Sequence, residues 1–314
     1  MQVWALIVDS FRDAIDRKIF WIMLVLSAAT AGAMACVSFD AEGVNVLFGT
    51  WHIDSEFYAV GSETGRSAIA ATIIKIVFDL SIGWVGIILA LIATAGMVPA
   101  MMSPGAVDIL VSKPMSRHKL FFGKYVGAMA FVLMQATVFV FLTTFVAGWR
   151  WKCWILELLW LIPLTVLLFS YVYGFCALFG VLTRNAMASL LLTLVAWVGV
   201  WAPQTLYETF VTFEEQIDPD QRYQRAVGAL KWVLPKTQDI PLIAGKLAGA
   251  ALMSDVIATE SGTVTDGKKE PTIDPRQAEE RLSDVNIAVS IASSLAFEGV
   301  LVAAASILFR RKDF

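Results

Sequence analysis

The sequence predicts an all-α integral membrane protein with six transmembrane helices, an amphipathic interface helix at its N-terminus and a short helix between spans 2 and 3. Three observations lead there. Hydrophobic residues make up 58% of the 314 and charged residues only 16%, whereas an ordinary globular chain is about a quarter charged; a soluble domain could not cover its apolar surface with so few charges. Mean hydropathy is +0.69, and several runs of about 20 apolar residues are each long enough to cross a hydrocarbon core of about 30 Å. Lys and Arg, finally, gather in short segments at alternate ends of these runs, the pattern of loops kept in the cytoplasm.

Each element follows in order. Residues 3–17 place Trp4, Ile7, Val8, Phe11, Ala14 and Ile15 on one helical face, with Asp9, Arg12, Asp13, Asp16 and Arg17 on the other. A helix with this moment can lie in the membrane interface, apolar face down, or pack on another domain. Span 1 covers 19–38. Its small residues Ala33 to Cys36 faintly suggest a cleaved signal, but the apolar run is too long for a signal core, and it reads as an uncleaved span. A polar loop at 39–66 carries Asp40, Glu42, Asp54, Glu56 and Glu63. Span 2 runs from 80 to 102, after a lead-in where Lys75 and Asp79 can pair at i, i+4.

Residues 103–124 (SPGAVDILVSKPMSRHKLFFGK) form a basic segment between spans 2 and 3. Pro104 and Gly105 end span 2, Ala106 to Ser112 can make a short helix, and Pro114 stops it, because the residue before a proline is pushed out of helical geometry. Ser116 can then cap the helix that enters span 3. Such a short helix across the ends of two spans is a rigid handle for a soluble partner. Span 3 is 125–148, span 4 is 155–182, and Thr183, Arg184 and Asn185 turn into span 5 at 186–203. The stretch 204–285 follows, in which 222–258 carry apolar patches suited to interfacial or re-entrant helices and 259–274 are polar loop. Span 6 is 286–308, and the tail is basic. The domain division is therefore 1–18 amphipathic helix, 19–203 spans 1–5, 204–285 extracytoplasmic loop, and 286–314 span 6 with its tail. The basic segments assign both termini to the cytoplasm.

Chemistry is sparse. No GxxxxGK[ST] run is present: the Gly-Lys pairs at 123–124 and 245–246 lack the upstream glycine and the following Ser or Thr, and the pair at 267–268 is followed by Lys269 rather than Ser or Thr. GxSxG, HExxH and GxGxxG are absent as well, so no ATPase, hydrolase or dinucleotide chemistry is predicted. Three cysteines, Cys36, Cys153 and Cys176, lack CxxC spacing and read as packing residues, and two histidines, His52 and His118, lie too far apart in sequence to suggest haem ligation or a His-rich metal site. Glu298, midway along span 6, is the intramembrane candidate, because a carboxylate there is costly and by default functional. Two blander readings stand beside it: a protonated Glu bonded to a nearby Ser or Thr, or one facing a watery dimer groove. Gln135 in span 3 is a weaker candidate. Pairs of small residues, Ala28 with Gly32 and Ala292 with Ala296, mark packing seams within the chain or across a dimer. The tryptophans around 149–160 read as interface anchors.

The run Gly105, Leu110, Ser112, Lys113, Pro114, Ser116, Arg117, Leu120, Gly123, Lys124, Gly127 resembles the ABC-2 permease family. The opening LIVDSFRDAIDRKIFWIML, the segment KWVLPKTQDI and the tail FRRKDF are similar to further family features. The likeness is greatest to the six-span branch that includes the nitrous-oxide-reductase maturation permease. The resemblance implies that 103–124 is a coupling helix docking into a separate ATP-binding subunit, which would hold the ATP and Mg. Asp108, Lys113, Ser116 and Arg117 would make the contacts, while Phe11 and Arg12 would transmit the motion. It also implies a second permease chain, identical or not, a bacterial inner-membrane location, and no enzyme activity in this chain. Lipid is an expected partner and nucleic acid is not. The few charges in the spans favour an apolar or amphipathic exported substrate. A non-transporting scaffold anchoring an ATPase is the alternative, and a secondary transporter is disfavoured because no repeat relates the two halves.

Overall fold

The computed structural model describes residues 18–39, 43–47, 50–54, 83–102, 116–151, 154, 156–212, 227–228, 230, 234–240, 243 and 287–311. Six helices in it are long and apolar enough to cross a membrane: Lys18–Ala35, Gly83–Ala100, Arg117–Trp151, Leu156–Thr183, Ala186–Tyr207 and Ile287–Arg311. They are spans 1 to 6. The predicted helical membrane class holds. The N-terminal amphipathic helix, with Phe11 and Arg12, the Lys75–Asp79 pair, and most of 103–124, with Asp108 and Lys113, lie outside the described residues.

Local sequence explains each break. Span 2 is interrupted at Ala95 and Gly96 before the short turn Met97–Ala100. Pro99 has no N–H to offer the Ala95 carbonyl and its ring crowds that turn, so the helix parts there. Between spans 4 and 5, Arg184 takes a left-handed conformation (φ 55°) and its N–H bonds the Gly180 carbonyl at 3.0 Å, closing span 4. Asn185 then caps span 5, its side-chain oxygen accepting from the Met187 N–H at 2.9 Å.

Two predicted boundaries move. Span 5 does not stop at 203; the helix continues through Pro203 to Thr212. A proline in a span removes one backbone bond and is tolerated where neighbours re-satisfy the freed groups. Span 3 begins at Arg117, well before 125, and runs unbroken for 35 residues, about 52 Å at 1.5 Å per residue. It therefore outreaches the hydrocarbon layer.

The 39–66 region holds more than loop. Strands β1 (Ser38–Phe39), β2 (Gly43–Val46) and β3 (Trp51–Asp54) form an antiparallel sheet, with Ser38 opposite Asn45 and Gly43 opposite Asp54. It is tied to the bundle beside its first strand, where the Trp151 indole N–H donates to the Val37 carbonyl at 2.9 Å and Arg150 to Ala35 at 3.1 Å. Trp151 is thus buried, while Trp149, Trp154 and Trp160 are exposed as interface anchors require.

Span 4 is the hub, packed against spans 2, 3, 5 and 6, while span 1 lies mainly on span 3. The core sits where these meet, around Phe121, Phe131, Phe169, Tyr171, Tyr173 and Phe309, all nearly fully buried. Lipid is as apolar as these side chains, so close packing and hydrogen bonds between helices hold the bundle together. Gly180 permits one such approach: a Cβ there would lie 3.3 Å from the Pro99 ring. The small pairs Ala28/Gly32 and Ala292/Ala296 are exposed. They form no seam within the chain, because span 1 turns Phe20, Met23, Ser27, Ala31 and Met34 inward instead.

Candidate functional site

Span 6 presents a polar column to the rest of the bundle. Ser290, Ser294, Glu298 and Ser306 fall at helical spacing of four, with only Val302 interrupting. One face of a helix repeats at that interval, and the column from Ser290 to Ser306 rises about 24 Å. Each of its polar members meets a partner outside span 6.

Glu298 sits at its middle, half-buried. The Tyr125 hydroxyl of span 3 donates to its Oε1 at 2.7 Å, and Ser170 Oγ of span 4 lies 2.8 Å from its Oε2. Tyr125 also reaches the Ser170 carbonyl at 3.3 Å and packs its ring 5.3 Å from that of Tyr173. Span 4 also packs on span 6 beside the carboxyl: a Cβ at Gly174 would lie 3.6 Å from Glu298 Cγ, ordinary van der Waals contact. Three spans therefore meet on one carboxyl, and both of its hydrogen-bond partners are uncharged.

At one end of the column, the segment 234–240 packs between spans 5 and 6. Asp239 is buried and its carboxylate accepts from Ser290 Oγ at 2.5 Å. The Lys236 backbone N–H donates to Ser294 Oγ at 2.9 Å. Gln204, 1% exposed, clamps the same segment from span 5. Its Nε2 donates to the Pro235 carbonyl at 2.6 Å and its Oε1 accepts from the Gln238 N–H at 3.1 Å. Gln238 Nε2 in turn donates to Thr205 Oγ1 at 2.6 Å.

At the other end, His118 Nδ1 and Ser306 Oγ are 2.7 Å apart, and an Arg117 guanidinium N–H donates to the Arg310 carbonyl at 3.2 Å. This end carries Arg117, Lys119, Arg310 and Arg311, all basic. The first turn of span 3 is thereby fastened to the last turn of span 6.

Of the residues singled out in the sequence, Arg117 and Glu298 fall on this column of contacts. Ser116 lies just before span 3, its carbonyl accepting from the Leu120 N–H at 3.2 Å. Gln135 lies apart and joins spans 3 and 1, its Nε2 donating to Ser27 Oγ at 3.0 Å. Sequence reasoning missed Tyr125, Ser170, Gln204, Asp239, His118 and Ser306. A signal was available for the span 6 members, since Ser290, Ser294 and Ser306 share the four-residue spacing of the mid-span Glu298 and so mark one polar face. Among the described residues no group of three or more His, Cys, Asp or Glu side chains gathers to hold a metal.

A family model described as ABC-2 family transporter protein matches residues 4–314. No curated protein matches the chain.

Proposed function

Because the chain belongs to the ABC-2 family of transporters, a family of membrane permease subunits, we propose that it works as an exporter driven by a separate ATP-binding subunit docked at the basic end of the bundle. That end faces the cytoplasm on this reading, in keeping with the short Lys- and Arg-bearing segments there. ATP and Mg belong to the docked subunit. Asp108, Lys113, Ser116 and Arg117 make the contacts, and Phe11 and Arg12 carry motion along the interface helix. A second permease chain completes the pathway, and the exposed small residues of spans 1 and 6 are suited to close helix approach across that pair. The membrane is the bacterial inner membrane, the substrate apolar or amphipathic. The coupling motif is also what supports the six-span branch of the nitrous-oxide-reductase maturation permease.

The observation that carries this reading is the mechanical continuity of span 3. It starts beside Ser116 and is fastened to span 6 in its first turn through Arg117 and His118. Two turns later it is fastened again through Tyr125 and Glu298. A push on the segment before Arg117 is therefore delivered to span 6 at two heights, and span 6 holds Lys236 and Asp239 at its far end. Packed helices pass such displacements as units because interiors are not continuously deformable. The direct test is co-purification with the ATP-binding subunit and ATP-dependent flux in vesicles. Asp108→Lys combined with Arg117→Glu is expected to abolish both; survival of the complex in that double variant would count against the docking site.

The clamped 234–240 segment favours one second reading. A scaffold that signals mechanically to proteins on the far side would need this kind of rigid link. ATP hydrolysis that depends on residues 204–285 and moves no substrate would support it over export.

A further inference from the structure

The turn between β2 and β3 leaves two large apolar side chains in the open. Leu47 is 54% exposed and Trp51 70%. One exposed Leu needs no explanation, but these two flank a closed turn. The Thr50 N–H donates to the Leu47 carbonyl at 3.3 Å, and Thr50 Oγ1 donates to the same atom at 3.0 Å. Leu47 also has a left-handed backbone, φ 54°, which is costly for a bulky apolar residue. Backbone cost of this kind is commonly retained where it positions a group for binding. The turn is also free of charge. Residues 43–51, GVNVLFGTW, carry none, although Asp40, Glu42, Asp54 and Glu56 flank them.

The sheet register shows where this turn lies. Ser38 is opposite Asn45 and Phe39 opposite Val44, so one residue further back Val46 stands level with Val37. Trp51 is in turn opposite Val46. The chain that leaves span 1 at Ala35 thus returns, through β2, to the height of Val37, whose carbonyl holds the Trp151 indole at the end of span 3. Trp149, Trp154 and Trp160 are exposed at this same end of the bundle, away from Arg117, Lys119, Arg310 and Arg311. Tryptophan rings gather where hydrocarbon gives way to headgroups.

We propose that the β2–β3 turn is a membrane foot, with Leu47 and Trp51 seated among the glycerol groups of the leaflet opposite the basic end. Its occupant is zwitterionic lipid. An uncharged tip between acidic neighbours has nothing to attract anionic headgroups, while Leu and Trp partition into the interface. Height favours lipid over a protein partner, because a patch level with the ends of two spans meets bilayer before it meets solvent. The foot steadies the end of span 1 through lipid, as Trp151 steadies it through the bundle. Neither ATP nor the direction of transport enters this reading.

The test uses the full chain, one copy per phosphatidylcholine nanodisc, with Cys36, Cys153 and Cys176 replaced by serine and a bimane probe attached at Leu47→Cys. Its fluorescence should be quenched most by phosphatidylcholine carrying a nitroxide near the glycerol, less by a mid-chain nitroxide, and least by iodide in the water. Quenching chiefly by iodide would put the turn in solvent. Shielding from iodide without quenching by either nitroxide lipid would put a protein surface over it. Either result overturns the proposal. Loss of the lipid quenching in discs holding two copies would assign the patch to a second chain and overturn it as well. The native side chain gives a separate reading that no label can disturb. Lipid brominated near the glycerol should quench part of the tryptophan emission of the wild type, and Trp51→Phe should lower that quenchable part. A quenchable part unchanged by Trp51→Phe would refute the foot even if the labelled chain failed to fold.

Discussion

Replacing Gln204 by Leu isolates the clamp on the 234–240 segment. The side chain is 1% exposed and of similar bulk to Leu, so packing changes little while both backbone bonds, to the Pro235 carbonyl and from the Gln238 N–H, are lost. A buried polar group left without its partner costs about 1–3 kcal/mol, and hydrogen bonds between membrane helices average only about 0.6 kcal/mol, reaching about 1.7. Because the segment lies at the end of the bundle, the lower part of each range applies, giving roughly 1–2 kcal/mol for the pair. At about 1.4 kcal/mol per decade, the segment should open about 5- to 30-fold more often. Amide hydrogen exchange of the peptide containing residues 234–240 reads this directly, with the Gln238 amide accelerated most. Exchange unchanged in Gln204→Leu would refute the assignment of Gln204 as the clamp.

Three further outcomes follow from named contacts. Tyr125→Phe keeps the ring against Tyr173 but removes the donor to Glu298; it should cost about 1 kcal/mol of unfolding free energy in lipid. A double-mutant cycle with Ser170→Ala should show coupling, since both act on one carboxyl. Ser306→Ala breaks the bond with His118 and is expected to leave complex assembly intact while lowering flux per ATP hydrolysed, read as the ratio of the two rates in vesicles. Gly180→Val drives a branched side chain against Pro99, where even a Cβ would lie at 3.3 Å. It should destabilise by about 1–3 kcal/mol, measured by thermal unfolding in detergent.

Apolar run length was enough to reveal the spans, because a helix in lipid must satisfy its own backbone and must be long enough to cross. Helix ends were harder to read. The long stretch read from 204 onwards suggested a stop, yet the chain stays helical through Pro203 to Thr212, because a single missing N–H is a local loss. The sheet at 38–54 escaped notice for a different reason. Its strands are two to four residues long, too short for alternation to register against a polar background. Glu298 was visible as a lone mid-span carboxyl, whereas Tyr125 and Ser170 were not, since each is unremarked within its own helix and becomes a partner only through packing 173 and 128 residues away in sequence. Asp239 lay inside the conspicuous KWVLPKTQDI segment, but its meeting with Ser290 depends on a fold-back that no local pattern states.

The most direct test of the account concerns which side of the membrane the basic end faces and what covers it. With Cys36, Cys153 and Cys176 replaced by serine, a single cysteine at Ser116 should react with a membrane-impermeant maleimide in inverted vesicles and not in intact cells, and adding the ATP-binding subunit should protect it. Labelling of that cysteine in intact cells, or labelling in inverted vesicles that the ATP-binding subunit leaves unchanged, would contradict the assignment of this end as the docking face for the nucleotide-driven motor.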